Sequence, residues 1–422
     1  MVVLGVDPSW PIRLLLVAIA CLGCASLARR SDLTLRAVVA AIATVLVVAV
    51  AAHPSGSHDI WSYVMYGRML GLHGASPYLH TPSQFSTDPF LHLVDWRRSP
   101  SVYGPVFNLF SAVGAVVAGP SLLLARLWHQ CAAALALVVA LVVVWRRTRE
   151  PAALAWLGLH PLIVVLVVNE GHNDLLVGVA LLLAVVALEA RHQARSGAAI
   201  AGGALVKITA GLALIGATAW AATQRARPRA WAVVVAAAVV LGVGYLPIAG
   251  QALAPITSHS ALVSRASLWQ VPNVVLGIGT TRVLRALPFA GAAVVLALAV
   301  FVALRRRRDD APVLAVAGSV ASYQAVAPYV LPWYCAWSLP SLALRRDSAL
   351  ARWGWWYAAL LATIYQIPIG PSPTAARYER PIVGALFPAI AVVTFVLAAR
   401  AKDGQRRRSG RATVSPAPST AP

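Results

Sequence analysis

The chain has 422 residues, 59% of them hydrophobic and 12% charged, against about 45–50% apolar and about 25% charged in a soluble domain. A membrane span takes about 20 mostly apolar residues, so this length holds roughly ten of them and excludes a large soluble domain. The 35 basic residues against 14 acidic give a net charge of +21, but nucleic-acid binding is excluded as its purpose, because the basic residues form no continuous stripe.

They fall instead in short runs between apolar stretches: Arg29/Arg30/Arg36, Arg146/Arg147/Arg149, Arg191/Arg195, Arg225/Arg227/Arg229, Arg305 to Arg308, Arg345/Arg346 and the tail from Arg400 to Arg411. Basic residues confined to short loops are the positive-inside signal and assign those loops to the cytoplasm. The reading is an all-α, polytopic membrane protein with about eleven spans, near 11–28, 37–52, 122–145, 152–168, 174–190, 230–250, 284–304, 311–331, 333–344, 349–367 and 381–399. The N-terminus is then outside. Residues 1–399 make one transmembrane domain, and 400–422 a disordered basic cytoplasmic tail.

In chain order, Cys21 and Cys24 have CxxC spacing but sit inside an apolar segment, which suits packing better than redox or zinc chemistry. The longest segment between spans, 53–121, is expected outside. Ser57 is an N-cap candidate for a helix over 58–72. On that helix Asp59, Ser62, Tyr63 and Tyr66 share one face, and Ile60, Val64, Gly67 and Gly71 another. Such a helix can lie flat on the membrane with Asp59 toward a cavity; alternatively, Asp59 only complements the helix dipole. His58 is a neighbour able to tune it. Asp88 and Asp95 are rival acids, with solvated loop acids as the plainer reading. Arg97 and Arg98, on the outer side against the positive-inside pattern, suit either an anion or anionic headgroups. Arg68 and Arg126 read as interfacial anchors.

Residues 105–119 are apolar but short and fit a juxtamembrane or re-entrant helix. His172, Asn173 and Asp174 form an outer turn that either lines a cavity or caps the next helix. Residues 197–221, with Gly202, Gly203, Lys207 and Gly211, suit a broken pair that dips in and returns, since irregular backbone at membrane depth must be covered by protein. Lys207 within it is functional by default, with snorkelling as the alternative. Trp269 to Asn273 lie in a second outer loop placed to cover a cleft. Trp333, Tyr334 and Trp337 suit sugar stacking or an aromatic belt. No histidine pair has HExxH or similar spacing, so no metal and no cofactor is expected.

Several of these segments fall in a recognisable order. His58-Asp59-Ile60-Trp61-Ser62-Tyr63 is followed by Gly74-Ala75-Ser76-Pro77-Tyr78, Tyr103-Gly104-Pro105, Gly171-His172-Asn173-Asp174, Lys207 and Pro332-Trp333-Tyr334-Cys335-Ala336-Trp337. Over roughly 37–345 the series resembles the GT-C superfamily of membrane glycosyltransferases. Within it the chain is most similar to the actinobacterial polyprenyl-phosphate-mannose-dependent mannosyltransferases that extend lipomannan-type chains by α-1,6 linkages. The single acid Asp59 departs from relatives that carry paired acids.

The resemblance implies a plasma-membrane enzyme with its site on the extracytoplasmic face. There soluble sugar nucleotides are absent and the donor is a polyprenyl phosphate sugar; the other partners are a lipid-linked glycan acceptor and membrane lipids. Displacing that phosphate with inversion takes a base and a cation. Asp59 occupies the superfamily's carboxylate position. Arg97, Arg98, Lys207 and Tyr103 are donor-phosphate candidates, with Arg377 and Arg380 further off. His58, Tyr63, Tyr66, His172, Asn173, Asp174, Trp333, Tyr334 and Trp337 line the acceptor side. A flippase for a lipid-linked sugar and a noncatalytic scaffold are the competing classes.

Overall fold

A computed structural model describes residues 10–30, 32–54, 56–223, 228–248, 250–252, 264, 267 and 311–366. All regular structure among them is helical. In order these are α1 (Trp10–Leu27), α2 (Leu35–Ala51), α3 (Asp59–Gly71), α4 (Pro105–Ala118), α5 (Leu122–Thr148), α6 (Pro151–Gly158), α7 (Asp174–Glu189), α8 (Gln193–Ala204), α9 (Ala213–Thr223) and α10 (Pro228–Tyr245). Then come α11 (Ala311–Val326), the single turn α12 (Leu339–Leu342) and α13 (Ala349–Ile364). Local sequence explains many ends. Thr34, Ser121 and Ser348 accept from the backbone N–H three residues on and cap α2, α5 and α13, while Pro105 and Pro151 open α4 and α6, where a missing N–H costs nothing.

Among the described residues, two helices are long and apolar enough to cross a membrane unaided, Leu122–Thr148 and Ala230–Ile248, or three when the bent pair Pro151–Gly158 and Leu162–Asn169 counts as one. The other described segments of the eleven-span reading, apart from 333–344, are shorter helices, and 284–304 and 381–399 lie outside the described residues. Large apolar side chains stand exposed on α5 (Leu135, Val142) and α10 (Val235, Val239, Val243), as lipid contact allows and an aqueous surface does not. The bend of 53° after α6 falls at His160-Pro161. Proline removes an N–H, and the His160 Nδ1 accepts from the Leu162 amide at 3.1 Å in its place.

The expected span 333–344 is not one helix. It is a 3-10 segment, Pro332–Trp337, followed by α12, because Pro332 and Pro340 each start a new turn. The region 197–221 is broken as expected, with α8 ending at Ala204 and a 3-10 turn, Ile208–Leu212, leading into α9. The 105–119 segment is the helix α4. The early helix starts at Asp59 with His58 in the cap position, one residue later than the Ser57 cap implies. It does not lie on a surface: Ile60 and every residue from Ser62 to Met69 are buried. Its Gly67 makes this possible, since a Cβ there would collide with the Ser111 carbonyl of α4.

The bundle has two polar ends. At one, the Arg147 and Arg345 side chains reach Glu189, Arg346 reaches Glu150 at 3.1 Å, and the same Arg346 donates to the Ala28 carbonyl. Glu189 is thus shared between arginines of two basic runs. The other end, at the C-terminus of α2 and the N-termini of α3, α5 and α7, gathers the motif residues. Eighteen residues of α5 separate His129 from Arg147, about 27 Å along the axis at 1.5 Å per residue.

Candidate functional site

The run Asn169-Glu170-Gly171-His172-Asn173-Asp174 is the framework of the motif end. The Asn169 amide donates to the carbonyls of Ala49 and Ala52 at 2.8 and 3.1 Å, and Arg126 donates to Ala52 at 2.6 Å. These carbonyls end α2 and have no helical partner. Gln130 in turn donates to the Asn169 carbonyl at 2.5 Å. Arg126 is therefore not an interfacial anchor; it is buried and ties α5 to the end of α2. The next residue, Glu170, is buried and accepts from the Gly56 and Ser57 amides at 2.7 and 3.0 Å. Sequence reasoning passed over Asn169, Gln130 and Glu170. The available signal was an acid and an amide next to a polar turn in otherwise apolar surroundings.

Ser57 Oγ accepts from the Asp59 amide at 3.1 Å, so the Asp59 backbone is fixed one link from Glu170. The half-buried Asp59 carboxylate accepts from Trp96 Nε1 at 3.0 Å. Burial pushes its carboxyl up to about 6, against the opposing pull of the Trp96 hydrogen bond and the Lys207 charge. His58 is turned to Asp95, with Nδ1 at 3.2 Å from its carboxylate, and both side chains are exposed. Tyr63 and Tyr66 leave the same helix face in different directions. Tyr63 Oη is 2.9 Å from His172 Nδ1, and Tyr66 Oη donates to the Ser99 carbonyl at 2.9 Å.

Lys207 stands where the chain breaks between α8 and the following 3-10 turn. Its Nζ donates to Asp174 Oδ1 at 2.9 Å and lies 4.2, 5.4 and 5.8 Å from the ring centroids of Tyr334, Trp337 and Tyr103. Such packing of a cation against aromatic faces is attractive. Trp337 Nε1 also donates to Asp174 Oδ1, at 2.5 Å. Lys207 therefore does not snorkel; it is buried and charge-compensated. Tyr103 comes to it because Gly104 N donates to the Val206 carbonyl at 2.9 Å and Val106 N to Leu205 at 3.1 Å. A Cβ on Gly104 would fall on the Leu205 carbonyl, so this docking requires glycine.

His172, Asn173 and Asp174 are at most 2% exposed. His172 stacks on Trp333 with centroids 3.9 Å apart. Asn173 occupies the cap position of α7 but makes no capping hydrogen bond with its side chain, so the capping alternative does not describe it. His172 Nε2, both polar atoms of the Asn173 side chain and Asp174 Oδ2 have no hydrogen-bond partner among the described residues. Buried polar atoms left open in this way call for an explanation such as a bound molecule. Trp333 and Trp337 are buried, which removes the aromatic-belt reading for them.

The loop acids and arginines divide. Asp88 is not a solvated loop acid. It is buried, accepts from Arg68 Nε at 2.9 Å and from the Phe90 amide at 2.9 Å, and faces His73 Nε2 at 2.8 Å. Burial works to raise its carboxyl, but the bonds from His73, the Phe90 amide and Arg68 hold it below the ordinary range. Arg68 is correspondingly an interior residue rather than an anchor, and lies 4.3 Å from the Phe90 ring centroid. Arg97 donates to the Val94 and His92 carbonyls of its own loop at 2.9 Å each, and Arg98 is exposed. Cys24 donates to the Leu159 carbonyl at 3.0 Å. Trp269 to Asn273, Arg377 and Arg380 lie outside the described residues. Among the described residues no group of three His, Cys, Asp or Glu gathers as a metal would need.

The geometry thus joins five sequence-distant segments, at Asp59, Tyr103, His172 to Asp174, Lys207 and Trp333 to Trp337. Asp59 is linked to the Lys207–Asp174 pair through Tyr63 and Tyr103, whose rings meet edge to face at 5.0 Å, and all three charges act on one another. Residues 10–224 match the family model described as alpha-(1->6)-mannopyranosyltransferase, N-terminal domain. No curated protein and no solved structure matches the chain.

Proposed function

As the chain belongs to the alpha-(1->6)-mannopyranosyltransferase family and is a mannosyltransferase, we propose that it moves mannose from a polyprenyl phosphate to a lipid-anchored glycan, with inversion, on the extracytoplasmic face of the plasma membrane. Family membership sets aside the flippase and scaffold classes. The observation that carries the proposal is a half-buried carboxyl, Asp59, bonded to Trp96 Nε1 near the buried Lys207–Asp174 pair and pushed up by burial to about 6. A general base works best with a pKa close to the operating pH. On this proposal Asp59 takes the proton of the acceptor hydroxyl as the anomeric C–O bond to phosphate breaks.

Lys207 is the cation on the phosphate side. Its ammonium has three N–H donors, one of which is given to Asp174, leaving two for phosphate oxygens with Tyr103 beside them. Arg97 fits this role less well because its guanidinium is engaged by loop carbonyls; Arg98, exposed, is the nearer candidate to meet a lipid phosphate at the surface. The open atoms of His172, Asn173 and Asp174 suit sugar hydroxyls, with Trp333 and Tyr334 as apolar walls. The sidedness is supported by the convergence of Arg147, Arg345 and Arg346 at the far end of the bundle, a separation close to the roughly 30 Å of a bilayer core.

The test is transfer from radiolabelled polyprenyl-phosphate mannose in membranes. Asp59→Asn keeps the shape and the Trp96 hydrogen bond but removes the base, so transfer should fall at least about 10²-fold with donor binding retained. A near-wild-type Asn variant would withdraw Asp59 from the chemistry.

A further inference from the structure

We infer that Glu170 is a positioning residue that fixes Asp59 relative to the Lys207–Asp174 pair; the inference rests on the reading of Asp59 as the base. Glu170 is 1% exposed and receives two backbone N–H groups from the other side of the sequence, Gly56 to Oε1 and Ser57 to Oε2. A buried carboxylate is costly unless its oxygens are satisfied, and bonds from N–H to a charged acceptor are the strong kind. Each of these two bonds therefore holds its amide firmly. Those amides belong to the two residues just before His58 and Asp59, and Ser57 passes the constraint on through its Oγ to the Asp59 amide.

The other end of the same six-residue run is tied to the cation. Asp174, four residues beyond Glu170, holds Lys207 and Trp337, and His172 between them holds Tyr63 of α3. The run is itself immobilised by Asn169 on α2 and by Gln130 of α5. One short, buried stretch of backbone thus carries the attachment points of both the base and the cation. Asp95 also reaches this segment, but only through the exposed His58 side chain, whereas Glu170 holds its backbone from a buried position. Glutamine at 170 would present an NH₂ group to one of the two amides, a donor facing a donor, and release one side of the clamp.

Glu170→Gln should lower kcat about 10²-fold, the cost of a misplacement of about 1 Å in a catalytic group, with the donor KM within about twofold. Because Asp59 would be freer to meet water, the acid limb of the pH–rate profile should also shift down from about 6 toward the ordinary carboxylate range. A purely structural role would not move that limb. The double variant Asp59→Asn with Glu170→Gln should be no slower than Asp59→Asn alone, because residues that act through one another are not additive.

If Glu170→Gln is not recovered in membranes, Gly56→Ala serves instead, since its Cβ would lie 3.1 Å from Glu170 Oε1 and crowd the clamp while keeping the charge. A Glu170→Gln or Gly56→Ala enzyme with wild-type kcat and an unmoved limb, while Asp59→Asn is inactive, overturns the positioning role and leaves the base in place. An active Asp59→Asn enzyme overturns the base itself.

Discussion

Trp96 gives a way to move the titration of Asp59 without touching the carboxyl. The Trp96 indole N–H is a hydrogen bond to the charged form of Asp59 and so pulls its pKa down; Trp96→Phe keeps most of the ring and deletes the donor. A hydrogen bond to a charged group contributes about 1.5–3 kcal/mol. Both partners here are partly exposed, and screening reduces that to about 1 kcal/mol. At 1.36 kcal/mol per unit, the expected rise is about 0.5–1 unit. The profile of kcat/KM reads the free enzyme. With a carboxyl near 6, wild-type membranes at about pH 5 should retain about a tenth of the plateau rate, whereas a base titrating at the ordinary value of about 3.9 would retain more than about 90%. In Trp96→Phe the limb should move upward and the plateau above it should stay within about threefold, a loss below the lower end of general-base contributions. A wild-type profile that is flat down to about pH 5, or a Trp96→Phe limb that stays put or moves down, refutes the assignment.

Three further outcomes are expected. Arg68→Met takes the guanidinium from the buried Asp88 carboxylate, leaving it His73 and the Phe90 amide, and should cost about 3 kcal/mol, the lower end for a broken buried pair, read by thermal unfolding in detergent; adding Asp88→Leu should recover part of it. Since the Asp88 carboxyl is held down in the folded protein, the contribution of this pair is complete above the ordinary carboxylate range and is lost only as the pH falls through the lower, folded-state value. Gly104→Ala drives a methyl into the Leu205 carbonyl and should cost about 1–3 kcal/mol while pulling Tyr103 from Lys207; unchanged stability and transfer would remove the docking argument. Finally, in a background with the native cysteines replaced, Ser83→Cys should react with an impermeant maleimide in intact cells and Asp347→Cys should not, and the opposite pattern would invert the proposed topology.

The parts of this site that were legible in the sequence share one property. Asp59, Lys207, Asp174 and the Trp333 to Trp337 cluster are charges or aromatics where an apolar chain has no cheap place for them, and such residues must be satisfied by something. What satisfies them is set by contacts across 33 residues for Lys207 and Asp174, 113 for Ser57 and Glu170 and 163 for Trp337 and Asp174, and no local pattern carries that information. The same gap explains the readings that the structure revised. Arg68 and Asp88 are 20 residues apart, and each alone resembles a surface residue; only as a pair can they be buried. Hydropathy treats 333–344 as one apolar stretch, because it weighs side chains and not the amide hydrogens that Pro332 and Pro340 lack.

The tertiary pairing also separates the roles of Asp59 and Asp174, the two acids that act on Lys207. Asp174 is wholly buried and has one oxygen committed to Lys207 and Trp337. It is better suited to holding the lysine than to catalysing transfer. Among the described residues Asp59 has a single neutral donor and no ion-pair partner, and it is partly exposed. A proton can arrive at it and leave it without dismantling anything else. On the proposed reading the Asp59 carboxyl is therefore the one that cycles, at the first turn of α3, with Glu170 bonded to the two residues before His58 and Trp96 donating to the carboxylate.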